Sequence, residues 1–129
     1  MIEKDIERLL KTKVEKEIPG ARCLKFVSPG CNGVPDRIIL LPGGAVVFAE
    51  LKRPGERPRQ RQLFIHERLR DLGFTVAGCV DSLKAVDVVV EICRLRWMMA
   101  TRTENLSWDC YGSTGWMPVK PNRGEGDAG

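Results

Sequence analysis

Two apolar runs, DRIILL (36–41) and AVVFAELK (45–52), flank Pro42-Gly43-Gly44. Runs of this length, rich in Ile, Leu and Val, read as strands, and the glycines supply the turn between them. The chain must therefore fold around a β-hairpin. Its apolar runs read as buried on both faces, as in a sheet covered by helices. Pairing across Gly43 sets Asp36 opposite Glu50, because both lie seven residues from it. Residues i and i+2 share a face of a strand, so Lys52 joins Glu50. Three charged groups thus converge at one end of a sheet otherwise made of Ile, Leu, Val, Phe and Ala.

The flanking sequence supplies the other layers. Ile6, Leu9, Leu10 and Val14 recur at helical spacing and predict a helix over 2–18, ended by Pro19-Gly20. ARCLKFV (21–27) reads as a short strand, and SPGCNGVP (28–35) as a loop. A Pro- and Gly-containing loop (53–58) precedes a helix over 58–72 that stops at Gly73. FTVAGCV (74–80) reads as a strand, and Asp81-Ser82 can cap a helix over 83–100. The order is α-β-β-β-α-β-α, with no internal repeat. We place one domain at 1–101 and a C-terminal tail at 102–129. The tail is rich in Ser, Thr, Gly and Asn, carries Trp108, Tyr111 and Trp116, and ends in a stretch expected to be disordered.

A chain of 129 residues fits one domain. Its apolar runs fall far short of the roughly 20 residues of a membrane span. The N-terminus is charged from Glu3 and has no apolar leader core, so a cytoplasmic location is expected. Five cysteines without C-x-x-C spacing and a single histidine give little support to a zinc site. Residues 1–100 hold 18 basic and 13 acidic side chains, and KRPGERPRQR (52–61) alone holds five basic and one acidic. Such a cluster can neutralise phosphates or form a solvated loop.

Two carboxylates set side by side repel unless something compensates. Lys52 offsets part of that repulsion. A divalent cation does so more fully, and carboxylate and carbonyl oxygens suit Mg²⁺. Asp, Glu and Lys around such an ion are sufficient for phosphodiester hydrolysis. The same charges could instead be an ion-pair cluster that blocks aggregation at a strand edge.

GVPDRIILLPGG followed by VVFAELKRPG resembles the core of the VRR-NUC family, part of the PD-(D/E)xK nuclease superfamily. Here the pattern is Pro35-Asp36, then Glu50-Leu51-Lys52, and the resemblance covers residues 1 to about 82. It implies a restriction-endonuclease-like α/β core with a mixed central sheet flanked by helices. It also implies that Asp36, Glu50 and the Leu51 backbone carbonyl ligate Mg²⁺, or Mn²⁺ in its place, and that Lys52 positions or activates the attacking water. The family's first-helix glutamate corresponds to Glu3, with Glu7 as the fallback. Its glutamine after the motif corresponds to Gln62, which aligns with Ile65, Leu69 and Leu72 on the helix's core face; Gln60 lies off that face.

Lys25 either contacts a phosphate or is an exposed strand residue. Ser28 and Asn32 read as turn residues. His66 is expected at the surface. With the site so placed, Arg53, Arg57, Arg59 and Arg61 read as a backbone clamp on DNA. No helix-turn-helix or zinc finger provides base readout.

The resemblance implies a Mg²⁺-dependent endonuclease for branched DNA, foremost the Holliday (four-way) junction. It also implies a homodimer, because a two-fold enzyme can cut two opposed strands. The apolar helix 83–100, with Val88–Val90, Ile92 and Trp97-Met98-Met99, is the candidate interface, although packing on the sheet would also explain it. The alternatives are a flap or general repair endonuclease and a non-catalytic DNA-binding module.

Overall fold

The computed structural model describes residues 2–100 and the segments 107–110 and 116–119. Helix α1 (Glu3–Glu17) starts where the Ile2 N–H donates to Asp5 Oδ2 at 3.2 Å, and its Ile6, Leu10 and Val14 are fully buried. Strand β1 (Arg22–Lys25) follows, then β2 (Arg37–Leu40), β3 (Val46–Leu51), helix α2 (Gln60–Asp71), β4 (Thr75–Val80) and helix α3 (Leu83–Met99). Ser82 caps α3 by accepting the Ala85 N–H at 3.1 Å, which satisfies one of the free donors of its first turn.

The sheet order is β1-β2-β3-β4, antiparallel except for the parallel β3–β4 pair joined through α2. The predicted element order and the mixed sheet are both present. Strand β1 is shorter than the sequence suggests. The hairpin turn is closed by Leu41 N–H to Ala45 O (2.9 Å) and Gly44 N–H to Leu41 O (3.1 Å), with Gly43 and Gly44 both near φ +89°. A side chain is strained at that φ, so the glycines fix the turn and with it the register.

One face of the sheet packs on α1 and α3. Ile6, Leu10, Val14 and Ile18 meet Cys23, Ile39, Val47, Ala49 and Leu51, and Val86, Val89 and Cys93 complete a continuous apolar core. Lys13–Asp87 (2.7 Å) and Arg94–Glu17 (2.8 Å) tie the two helices together at the surface.

The other face is covered by α2 alone, which packs against β4. Phe26, Phe48 and Phe74 stack across it at 5.7 and 5.5 Å. The hairpin is therefore not buried on both faces along its whole length. Strand β3 is, but Leu40 of β2 and Leu24 of β1 are exposed, because one helix cannot cover four strands. Leu72, expected on the core face of α2, is 74% exposed just past the helix end.

In the tail, Ser107–Cys110 (β5) pairs antiparallel with Trp116–Val119 (β6), where the sequence suggested no strands. Tyr111 and the expected disorder of the last residues lie outside the described residues.

Candidate active site at the Asp36 and Glu50 edge

The β2–β3 register pairs Arg37 with Ala49, so the next step along the ladder sets Asp36 opposite Glu50, as the turn symmetry requires. The Asp36 carboxylate accepts the Leu51 N–H at 2.9 Å. A residue's N–H and C=O point to the same strand edge, so the Leu51 carbonyl projects toward Asp36 as well. On the other edge, Lys52 N–H bonds Val80 O at 3.0 Å.

Glu50 is fully buried. Its Oε1 accepts Gln62 Nε2 at 2.6 Å and lies 3.5 Å from Lys52 Nζ. The amide oxygen of Gln62 accepts the Arg59 N–H at 2.8 Å, so one side chain both caps α2 and holds the carboxylate. Lys52 is itself buried and also faces Glu56 at 3.8 Å. Glu50 Oε2 has no hydrogen-bond partner among the described residues. Burial first, and the neighbouring Asp36 charge second, push the Glu50 carboxyl up to about 7, against the pull of Lys52.

His66 is the correction to the sequence reading. It is 0% exposed, and its Nε2 stands 3.9 Å from Glu50 Oε2. Neither ring nitrogen has a hydrogen-bond partner among the described residues, and burial, together with Arg70 and Lys52, disfavours its charged form and pushes its pKa down. The strand beneath makes room for it. The β3–β4 register slips by one residue between Ala49–Ala77 and Leu51–Val80, and a Cβ on Gly78 would come within 3.2 Å of His66 Nδ1. Such bulges are frequent beside active sites. The missed signal was spacing: His66 is one helical turn from Gln62, which the sequence had already turned inward.

The remaining predicted residues are spread around this edge. Glu3, half-buried, lines a groove with Arg53, whereas Glu7 is engaged by Arg37 in an ion pair. That pair puts Arg37, and with it its register partner Lys25, on the α1 face, opposite to Asp36 and Glu50. Arg53 donates to Glu56 at 3.0 Å; Arg57 and Arg59 are exposed. Arg61 donates to Asn32 O at 3.2 Å and stacks over Phe64, which anchors the loop before Asp36 to α2. Gln60 is exposed at the start of α2, and Ser28 O accepts the Cys31 N–H in an ordinary turn.

Among the described residues, no three His, Cys, Asp or Glu side chains form a ready metal cage. The available donors are two carboxylates and a backbone carbonyl, with one carboxylate oxygen buried and unpartnered. That all-oxygen set fits a hard cation, which accepts two carboxylates, a carbonyl and its own waters.

The mixed sheet between helices, with Asp36 and Glu50-Leu51-Lys52 at one strand edge, defines a restriction-endonuclease-like nuclease fold. No family profile matches the chain. It is 49% identical, over 74 residues spanning 57% of this chain and 77% of the relative, to "Putative nuclease p44" of Acyrthosiphon pisum secondary endosymbiont phage 1. It is 31% identical to a solved structure described as a VRR_NUC domain, with a TM-score of 0.55, covering 67% of this chain and 95% of that one. The chain belongs to the VRR-NUC family of endonucleases. Among the described residues no helix is long and apolar enough to cross a membrane.

Proposed function

We propose that the protein is a Mg²⁺-dependent, structure-specific endodeoxyribonuclease that cuts branched DNA, foremost four-way junctions, as a homodimer. The catalytic unit is residues 1–101, with 102–129 an accessory tail. The observation that carries this reading is the buried Glu50, paired across the hairpin with Asp36 and held by Gln62 and Lys52. Nothing structural is gained by burying a carboxylate beside a second one, with an oxygen left unpartnered. A cation and a phosphodiester give that arrangement a purpose.

Asp36, Glu50 and the Leu51 carbonyl would hold the ion. When bound, it stabilises negative charge on a phosphoryl oxygen and makes a water nucleophilic near neutral pH. Lys52 holds its ammonium at the carboxylate edge, where it can orient the attacking water and steady the developing charge. Gln62 fixes the rotamer of Glu50. Glu3, which shares a groove with Arg53 on the α1 side, is the proposed first-helix acid of the site. Arg53, Arg57, Arg59 and Arg61 hold the DNA backbone, and Lys25 touches a phosphate further along β1.

The exposed Val88, Leu95, Met98 and Met99 of α3 support self-association. The cytoplasm of a bacterium or of its phage-infected form is where such DNA would be met.

The test is incubation with labelled four-way junction, flap, single-stranded and linear duplex DNA, with and without Mg²⁺. Preferential, Mg²⁺-dependent cutting of the junction is expected. Preferential cutting of flaps would replace the junction reading, and no cutting of any DNA under any divalent metal would overturn the proposal. Light scattering at micromolar concentration should give a dimer mass; a monomer would count against paired junction cuts.

A further inference from the structure

Helix α1 carries a basic stripe outside the active site. Lys4, Arg8 and Lys11 follow one another at i, i+4 and i+7, so they share one face over about 10 Å of helix. They line a surface groove of about 390 Å³ with Glu7 and Arg37. A second groove of about 480 Å³ is lined by Ile2, Glu3, Lys4, Glu7 and Arg53. Because the two share Lys4 and Glu7, they form one trough running from Lys11 to Arg53, the residue after Lys52.

Two of the five cations in this trough are uncommitted, since Arg53 pairs with Glu56 at 3.0 Å and two others are paired as well. Glu7 is consumed by Arg37. Lys11 pairs with Glu15 at 2.9 Å. Among the described residues, Lys4 and Arg8 make no ion pair and no side-chain hydrogen bond, and both are exposed. With Glu15 and Glu56, which pair with Lys11 and Arg53, the five cations face four carboxylates, and the exposed, unpaired Lys4 and Arg8 are what favours a polyanion there.

The trough lies on the α1 face of the sheet, whereas the arginine loop leads from Lys52 to α2 on the opposite face. Each layer of a packed structure is about 10 Å thick. Two basic tracks therefore start at one catalytic edge and diverge over opposite faces.

Resting on the nuclease reading above, we propose that the α1 trough is a second backbone-binding site, which holds a different DNA arm from the one gripped by Arg57, Arg59 and Arg61. The preference for branched DNA then arises from this divergence: one arm follows each face, and the branch point sits at the Asp36 and Glu50 edge. At a rise of about 3.4 Å per nucleotide along a duplex, the stripe from Lys4 to Lys11 matches about three successive phosphates.

The test measures equilibrium binding rather than cleavage, in the Lys52→Ala background, so its failure is separable from failure of the nuclease reading. Lys4→Ala/Arg8→Ala/Lys11→Ala is compared with the unaltered trough on a four-way junction and on a linear duplex of the same arm length. We expect the junction to bind about 10- to 100-fold more weakly, with the slope of log K against log salt reduced by about two to three. The duplex, which can use the arginine loop alone, should lose less than about threefold. Arg8→Glu is the second variant, expected to show the same selectivity with a smaller perturbation of the helix. Equal losses on junction and duplex would overturn the two-arm assignment, and an unchanged salt slope with either variant would overturn the trough as a phosphate site.

Discussion

The two faces of the four-stranded sheet obey different rules. Toward α1 and α3, every buried position is apolar and the contacts are continuous from Ile6 to Cys93. Toward α2, the buried set includes Glu50, Lys52 and His66, with three of their polar atoms unpartnered. One covering helix leaves Leu24, Leu40 and Phe74 partly open. The first face provides the stability with which the second can hold charges where folding alone would not put them. The difference also separates two kinds of substitution: those that unfold the protein and those that silence it.

The largest effect should come from the charged face. Lys52→Ala or Asp36→Ala should lower cleavage on the order of 10³-fold, about 4 kcal/mol of transition-state stabilisation, with the melting transition intact. Activity surviving in either variant, measured by single-turnover cleavage of labelled junction, would remove that residue from the site.

Leu10→Ala, on the apolar face, should cost about 2–5 kcal/mol of unfolding free energy in urea while leaving kcat near wild type below the transition. If it reduced kcat as strongly as stability, the division of labour between the faces would fail.

The smallest effect is expected at His66. His66→Leu replaces an unpartnered ring with an apolar group and should raise stability by about 1 kcal/mol in chemical denaturation. A loss of that size would mean that the ring finds a partner in solution.

Much of this comparison was legible in the sequence. The hairpin and its register followed from the Pro42-Gly43-Gly44 turn, because a period of two leaves no freedom once the turn is placed. The convergence of Asp36, Glu50 and Lys52 followed from that register, and the inward turn of Gln62 from helical spacing. His66 did not, because burial of a histidine depends on space in a neighbouring strand, here the bulge at Gly78, and no local pattern encodes that. The exposure of Leu40 and Leu24 was hidden for a related reason: periodicity marks a strand as apolar but does not say how many helices cover it. The basic stripe of α1 was present as Lys4, Arg8 and Lys11, yet its continuity with Arg53 exists only once the helix is docked.

The central claim is that Glu50 is buried for chemistry and against stability. Its raised pKa means that the native state holds a proton which the unfolded chain has released, so stability falls as pH rises from about 4.5 to about 7 and stays reduced above that. The measurement is thermal melting of metal-free wild type and Glu50→Gln across pH 4 to 8, paired with Mg²⁺-dependent junction cleavage at pH 8. The account predicts equal stability near pH 4, a Glu50→Gln protein more stable at pH 8 by on the order of 3 kcal/mol, and no detectable cleavage by it. A Glu50→Gln protein that melts below wild type at pH 8, or that still cuts DNA, would contradict it.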